Sequence, residues 1–143
     1  MASILDLSKK RDAHIDQRLR ENVIIWLNTV RPDGRPHSAA VWFLWDGEAV
    51  LIFSRPNQQK LRNIAHNPNV VLAIDNTDEG GDPISLEGQA TLLEGTDVDI
   101  TLAGYVAKYG KQIQEINFTA ESMAKEYSQG IRIIPTRVLQ AFG

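Results

Sequence analysis

Two tight turns divide the first part of the chain into short apolar segments and limit the folds open to it. The turns are Pro32-Asp33-Gly34 and Asp46-Gly47, in which glycine supplies the positive φ that such turns require. They separate apolar segments at residues 23–27, 37–45 and 49–53. Because short strands joined by tight turns pair with their sequence neighbours, these residues predict an antiparallel meander. The segment 23–27 is apolar throughout, which is typical of a strand covered on both faces.

A helix between two strands is predicted within residues 53–72. Its core-facing residues recur at helical spacing and are Leu61, Ile64 and Ala65. Pro56 suits the first turn of this helix, where a missing N–H costs nothing. Asn67-Pro68 ends the helix, because the residue before a proline is pushed out of the helical region. An apolar strand at 70–74 follows.

The start of this helix is a candidate anion site. Free backbone N–H groups and the positive end of the helix dipole lie at such a terminus. Ser54, Arg55 and Lys60 would add a hydroxyl group and two cations, a combination suited to phosphate. The alternative is a capped surface helix with solvated basic residues, and these residues alone leave both interpretations open.

The remaining strands and the N-terminal helix are predicted from periodicity. Residues 3–21 predict a polar, weakly amphipathic helix that could lie across a barrel or reach a partner subunit. Residues 84–92 alternate apolar and polar side chains, as in a strand with one buried face, and Gly88 indicates a bulge or bend. Residues 131–139 predict a strand that is kinked, or lies at a sheet edge, at Pro135.

Two further helices are predicted late in the chain. One begins at Asp97, a suitable N-cap, and is expected to stop at Gly110. The other covers residues 118–127 with Thr119 as its cap. Strands in a meander with late helices favour a mainly β (α+β) fold, a small antiparallel barrel with peripheral helices, over a parallel sheet.

Composition excludes several classes of function. The 143 residues suit one domain, and the net charge of −3 gives no general case for nucleic-acid binding. Cysteine is absent, which excludes disulfides and thiolate chemistry. The three histidines lie in no metal-ligand spacing, so no metal site is expected; they are His14, His37 and His66. No segment suits a signal peptide or a membrane span, so the expected location is cytoplasmic and no membrane partner is expected.

No catalytic residue can be assigned from the residue pattern. The carboxylates of residues 75–83 lie on a predicted loop and define no acid–base pair. The tryptophans lie in apolar strands and are expected in the core; they are Trp26, Trp42 and Trp45. The anion site at the start of the predicted helix is therefore the one candidate site that the residues themselves indicate.

A series of short motifs resembles a known family. The motifs are RPDGRPH, VWFLWDGE, FS with a lysine six residues after the serine, RNI and NP. In this order they resemble the pyridoxamine 5'-phosphate oxidase-like split β-barrel proteins. The resemblance is closest to the small oxidoreductases that use the deazaflavin coenzyme F-420. It covers residues 22–143 and leaves 1–21 as an N-terminal helical segment.

The resemblance implies a six-stranded antiparallel split β-barrel (the FMN-binding split barrel) with peripheral helices. It implies a homodimer that binds its cofactor between the subunits. Ser54 and Lys60 match the residues that hold the cofactor phosphate, and the second strand would lie along the ring. The cofactor-binding residues that it implies are Ser54, Lys60, Arg55, Phe53, Val41, Trp42 and Arg62.

Departures from the family pattern argue against pyridoxamine phosphate oxidation. Ala39 stands where the enzymes acting on that substrate carry a phosphate-gripping arginine. Gln58-Gln59 stands where they carry a serine and an arginine. Arg55 or Arg62 would then be the candidate to replace the missing phosphate contact.

The resemblance favours one function and leaves two others open. The first is an enzyme, an F-420-dependent oxidoreductase that transfers hydride to a small unsaturated substrate. The second is an FMN-binding oxidase or reductase of the same fold. The third is a non-catalytic flavin- or haem-binding split barrel, in which His37 or His66 would be the haem ligand. The sequence leaves the substrate and the direction of electron transfer unassigned.

Overall fold

The computed structural model describes residues 3–75, 80–93 and 96–141. The helices are α1 (Lys10–Glu21), α2 (Gln59–His66), α3 (Thr96–Glu115) and α4 (Ala120–Glu126). The strands are β1 (Ile24–Val30), β2 (Pro36–Trp42), β3 (Leu44–Trp45), β4 (Val50–Ser54), β5 (Asn69–Ile74), β6 (Ile84–Leu93) and β7 (Gln129–Gln140). No helix in this described part of the chain is long and apolar enough to cross a membrane.

The strands form one antiparallel sheet in the order β2-β1-β5-β6-β7-β4-β3. Only Phe43 separates β2 from β3 in the sequence, yet the two strands lie at opposite edges of the sheet. The sheet must therefore curl until its edges approach each other, which gives a split barrel. The predicted α+β antiparallel barrel is confirmed, with seven strands in place of six.

The predicted three-strand meander is wrong in one respect. The segment 37–45 was expected as a single strand, but it breaks at Phe43. Its first part pairs with β1, whereas its second part pairs with β4 at the other edge of the sheet. The break is what allows one apolar segment to take part in both edges of the barrel.

The interior of the barrel is filled by alternating strand residues and by α1. Ile15 and Leu19 of α1 are fully buried in the same cluster as Leu27 and Ile52 of the sheet. The helix begins at Lys10, so the predicted helix over 3–21 is too long at its start. Since each large apolar side chain contributes ~1.5–3 kcal/mol when fully buried, α1 is an integral part of the barrel core.

A bulge in β7 lies opposite Gly88 of β6. Gly88 lies opposite Pro135, and the register shifts between Glu87 and Gly88. A Cβ atom at Gly88 would come within 2.9 Å of Ile133 Cγ2 and 3.0 Å of the Ile134 carbonyl oxygen. The bulge or bend predicted at Gly88 is confirmed as an irregularity at that position, although the extra residue of the bulge is Thr136 of β7. Pro135 suits this place because a proline cannot donate to the sheet ladder.

Helix α2 begins later than the sequence suggests. Pro56 lies outside it, because Asn57 takes a positive φ of 64° and the first helical residue is Gln59. Asn67 ends the helix, as predicted. Ala65 is exposed rather than core-facing; the fully buried Asn63 donates instead to Thr29 Oγ1 at 2.9 Å. This bond fastens the helix to β1.

The late helices differ from their predicted ends. Helix α3 continues through Gly110 to Glu115, so the predicted stop at Gly110 is wrong. Tyr109 and Ile113, before and after the glycine in the sequence, are buried in one apolar cluster, and this burial outweighs the ~1 kcal/mol cost of glycine in a helix. Thr119 caps α4 as predicted, since its side chain accepts a hydrogen bond from the Ser122 backbone N–H at 3.1 Å.

Candidate functional site

A cavity of about 330 Å³ lies where β2 and β4 meet the helices inserted between β6 and β7. One wall is the end of β2, residues 40–42, and a second is the connection from β4 to α2, from Phe53 to Lys60. The third wall comes from α3, α4 and the residues that follow them. The volume is at the low end of the range of ~300–1,000 Å³ for small-molecule sites.

The cationic end of the cavity is defined by Lys60. Its side chain is half-buried at the start of α2 and lines the cavity. It makes no hydrogen bond or ion pair with any residue that the structure describes. Burial lowers the pKa of its ammonium group. An unpaired, partly desolvated cation facing a cavity is suited to an anionic ligand.

Ser54 and Arg55 also line this end but already have partners. The buried Ser54 hydroxyl donates to the Arg55 carbonyl oxygen at 2.8 Å. The Arg55 guanidinium group forms an ion pair of 2.6 Å with Glu126 of α4 and lies 5.1 Å from the centre of the Tyr127 ring. Both must reorient, or share their partners, to contact a ligand.

The N-terminus of α2 adds backbone donors. No side chain caps this helix, and its N-cap residue is Gln58, which also lines the cavity. The free N–H groups of the first turn and the helix dipole favour an anion at this place. The predicted anion site is therefore formed by the start of the helix, although that start is at Gln59 and Pro56 is not part of it.

Aromatic side chains also line the cavity. Trp42 lies at the end of β2 and stacks on Tyr109 of α3, with ring centres 4.7 Å apart and planes 4° from parallel. Phe53 meets Tyr105 edge to face at 4.9 Å. Tyr105 is buried, which raises the pKa of its hydroxyl group and keeps it protonated. The cavity thus combines cationic groups with aromatic side chains.

The structure brings six of the seven predicted cofactor-binding residues to this cavity. These six are Ser54, Lys60, Arg55, Phe53, Val41 and Trp42. Arg62 is not among the cavity residues; its guanidinium group donates to the Asn57 carbonyl oxygen at 3.0 Å and to Gln59 Oε1 at 2.8 Å. It supports the turn before α2 and leaves Arg55 as the arginine beside the cavity.

Sequence reasoning missed the wall contributed by the third and fourth helices. Tyr105, Ile116, Met123 and Tyr127 line the cavity. Tyr105 lies in one of the two predicted late helices and Met123 and Tyr127 in the other, but nothing in the sequence placed those helices beside β2 and β4. None of the cavity residues carries a carboxylate or an imidazole, so no acid–base catalyst is assigned. The described residues contain no group of three or more possible metal ligands.

An exposed apolar surface adjoins the cavity on the outer face of β1. Ile24 and Trp26 are 46% and 49% exposed. The expectation that β1 is covered on both faces is therefore wrong for the single chain by itself. Ile24 pairs with Trp42 and Trp26 with Ala40, and residues paired directly across two strands share a face. The exposed surface and the cavity edge are therefore continuous. Of the three tryptophans, only Trp45 is buried in the core.

Comparison with solved structures shows which known fold the chain has. An F420 reductase superposes with a TM-score of 0.67 at 25% identity, over 86% of this chain and 94% of that one. A conserved hypothetical protein from Mycobacterium tuberculosis gives 0.72 at 22% identity, over 88% and 81%. HutZ, a haem storage protein from Vibrio cholerae, gives 0.71 at 18% identity, over 93% and 96%. The chain has the split-barrel fold that these proteins share.

The family follows from the sequence. A family profile described as pyridoxamine 5'-phosphate oxidase matches residues 12–142, which includes most of α1 and all of the barrel strands. The chain belongs to this family. A search of curated proteins found no significant match.

Proposed function

We propose that the protein is an oxidoreductase that binds the deazaflavin coenzyme F-420 and transfers hydride to a small unsaturated substrate. The observation that carries the proposal is the half-buried ammonium group of Lys60, which has no partner among the described residues, in a cavity that aromatic side chains also line. A ligand with a phosphate group and a flat ring system matches both features. Coenzymes of the flavin type have this form.

The residues present fit such a coenzyme. Lys60, the Ser54 hydroxyl and the uncapped start of α2 would hold the phosphate. The ring would lie against Val41, Trp42 and the backbone of the β2 edge, which has no neighbouring strand on that side. The bound coenzyme supplies the hydride chemistry. The chain supplies orientation, charge complementarity and apolar walls that keep water away.

The choice of F-420 over FMN is supported by two observations. One of the similar structures is an F420 reductase. In the sequence, VWFLWDGE and the RNI and NP motifs resemble the deazaflavin branch. FMN is the alternative, since its phosphate and ring would meet the same cationic and aromatic residues. Haem has weaker support, because neither His37 nor His66 lines the cavity.

The proposal includes a homodimer with the coenzyme between the subunits. The exposed surface at Ile24 and Trp26 is apolar and continuous with the cavity edge at Ala40 and Trp42. A second subunit on this surface would cover those side chains and enclose the open side of the cavity. This arrangement also explains why β1 has the composition of a strand buried on both faces.

Titration of the apo-protein tests the proposal. F-420 and FMN are added in parallel, and binding is followed by quenching of tryptophan fluorescence, to which Trp42 should contribute. Tight binding of F-420 with weak or no binding of FMN supports the proposal and justifies a substrate screen with the reduced coenzyme. A preference for FMN contradicts the choice of coenzyme. Binding of neither contradicts the proposed function, and a Soret band after haem addition would replace it.

A further inference from the structure

The hydroxyl group of Tyr109 is inserted into the ladder between β1 and β2. The last pair of that ladder is Ile24 with Trp42, so Val23 and Phe43 would form the next pair. No backbone hydrogen bond joins Val23 directly to Phe43. The Phe43 N–H donates to Tyr109 Oη at 2.9 Å, and the hydroxyl group lies 2.8 Å from the Val23 carbonyl oxygen. The side chain of α3 thus takes the place of a backbone hydrogen bond.

Lys108 provides a second hydrogen-bond donor beside the Tyr109 hydroxyl group, which has only one proton to donate. Two carbonyl oxygens lie within hydrogen-bond distance of Tyr109 Oη. The distance is 2.8 Å to the Val23 oxygen and 2.6 Å to the Phe43 oxygen. Lys108 Nζ donates to the Phe43 carbonyl oxygen at 2.9 Å, so this oxygen has a donor of its own. The hydroxyl proton is then available to Val23, so the Phe43 N–H and the carbonyl oxygens of Val23 and Phe43 all have partners.

The consequence of this insertion is a fixed end for β2. The chain leaves the β1 ladder after Trp42, turns at the fully buried Phe43 and continues as β3 at the other edge of the sheet. Tyr109 holds the backbone of this turn with its oxygen and the Trp42 ring with its own ring. Tyr109 is itself buried and does not line the cavity, whereas residues 40–42 do.

We propose that Tyr109 is a positioning residue, which sets the Trp42 ring and the β2 edge for the ring of the bound coenzyme. This proposal rests on the proposed function. It concerns the ring alone, because the proposed phosphate-binding residues Ser54 and Lys60 belong to other elements, β4 and α2. The two claims can therefore be tested independently.

Tyr109→Phe removes the oxygen and keeps the ring that stacks on Trp42. Two probe pairs separate ring binding from phosphate binding: FMN with riboflavin, and F-420 with its phosphate-free deazaflavin fragment. Wild-type protein is expected to bind one of these two pairs. Tyr109→Phe should lower the affinity for both members of that pair by about tenfold, since the turn loses hydrogen bonds to buried backbone groups. Lys60→Ala should weaken only the phosphate-bearing member.

Ile113→Val is the matched control for a general loosening of α3. Ile113 is buried on the same helix, outside the cavity, and the loss of its methyl group should lower stability without changing ring affinity. A second readout needs no ligand. In protein labelled with 5-fluorotryptophan, the fluorine resonance of Trp42 should shift in Tyr109→Phe, whereas those of Trp26 and Trp45 serve as internal references.

Two results would overturn the proposal. One is a folded Tyr109→Phe protein that binds the phosphate-free fragment as tightly as wild type. The other is an equal loss of affinity in Ile113→Val. Failure of the proposed function has a different signature, because wild-type protein would then bind neither pair. The positioning of Trp42 would in that case be supported by a shifted Trp42 resonance in Tyr109→Phe and contradicted by an unchanged one.

Discussion

Lys60 is the residue on which the anion site depends most. Ser54 and Arg55 are engaged with neighbouring groups, whereas the Lys60 ammonium group has no partner among the described residues and is partly desolvated. The desolvation that lowers its pKa would be offset by a bound phosphate. Lys60 therefore carries an unfavourable burial in the free protein that ligand binding relieves.

Replacing Lys60 by alanine should weaken coenzyme binding and leave the fold intact. The expected loss is ~1.5–3 kcal/mol, the range for a hydrogen bond to a charged group. The measurement is the dissociation constant from fluorescence titration. Lys111→Ala is the control, because it removes the same charge from an exposed position of α3. Equal affinities of the Lys60 and Lys111 variants would mean that the phosphate site is misplaced.

Glu126 is expected to compete with the ligand for Arg55. The two side chains form an exposed ion pair beside the cavity. Glu126→Gln should free the guanidinium group and tighten binding of the phosphate-bearing coenzyme by up to about fivefold, because exposed ion pairs are worth ~0.2–1 kcal/mol. Affinity for the phosphate-free fragment should not change.

Glu115→Gln provides the comparison for that experiment. It removes the same charge from an exposed position at the end of α3. If Glu115→Gln tightened binding as much as Glu126→Gln, the gain would come from net charge. Weaker binding in Glu126→Gln would show that Glu126 supports the site instead of competing with the ligand.

Lys108 should give the protein a stability that rises with pH. Burial lowers its pKa from 10.5 to about 8. Between these values the unfolded chain binds the proton more readily than the folded one, so the free energy of unfolding increases as pH rises. Lys60 contributes in the same direction. Above about pH 10 the buried tyrosines act oppositely, because burial raises the pKa of Tyr105 and Tyr109.

Urea unfolding at pH 7.5 and pH 9.5 tests this prediction. Wild type should gain more stability between the two values than Lys108→Met, in which the group cannot titrate. Lys111→Met is the control and should gain as much as wild type. Parallel gains in wild type and Lys108→Met would contradict the assignment of the effect to Lys108.

At the scale of elements, the sequence predicted best where a local signal and the fold agree. The end of α2 at Asn67, the bulge at Gly88 and the cap at Thr119 follow from the conformations of single residues, and all three are present. The start of α2 was misplaced because Asn57 adopts a positive φ, which sequence periodicity does not reveal. The backbone conformation of such a turn depends on its contacts with the surrounding structure.

Features that depend on distant contacts could not be predicted. The break of the second strand at Phe43 is held by Tyr109 and Lys108, 66 and 65 residues further along the chain. The persistence of α3 past Gly110 depends on packing against the sheet. The candidate site was accordingly predicted on its phosphate side, which is local in sequence, and missed on the side of α3 and α4.

At the scale of the whole molecule, the outer face of β1 is the most informative surface. The sequence indicates a strand that is covered on both sides, whereas one chain covers only the inner side. The exposed Trp26 is therefore the residue that a second subunit would bury. Aromatic residues are enriched at such interfaces, where they often dominate the binding energy.

Trp26→Lys should convert the proposed dimer into a folded monomer. Light scattering at micromolar concentration measures the mass, and circular dichroism confirms the fold. Coenzyme affinity should fall together with the mass, because the cavity would lose its second wall. Leu139→Lys is the control, since it places the same charge on an exposed residue of β7, two strands away from β5, the neighbour of β1. A wild-type protein that is itself monomeric would refute the interface.

The position of β4 has a consequence for how the chain acquires its structure during synthesis. Every residue of β4 is buried, yet its long neighbour is β7, the last strand of the described chain; its other neighbour, β3, has two residues. A ribosome therefore releases the first part of the barrel well before the strand that covers β4 exists. Closure depends on contacts between distant parts of the chain, which makes folding slow. Until then β4 is an apolar segment without its long neighbouring strand, and exposed segments of this kind are prone to aggregate.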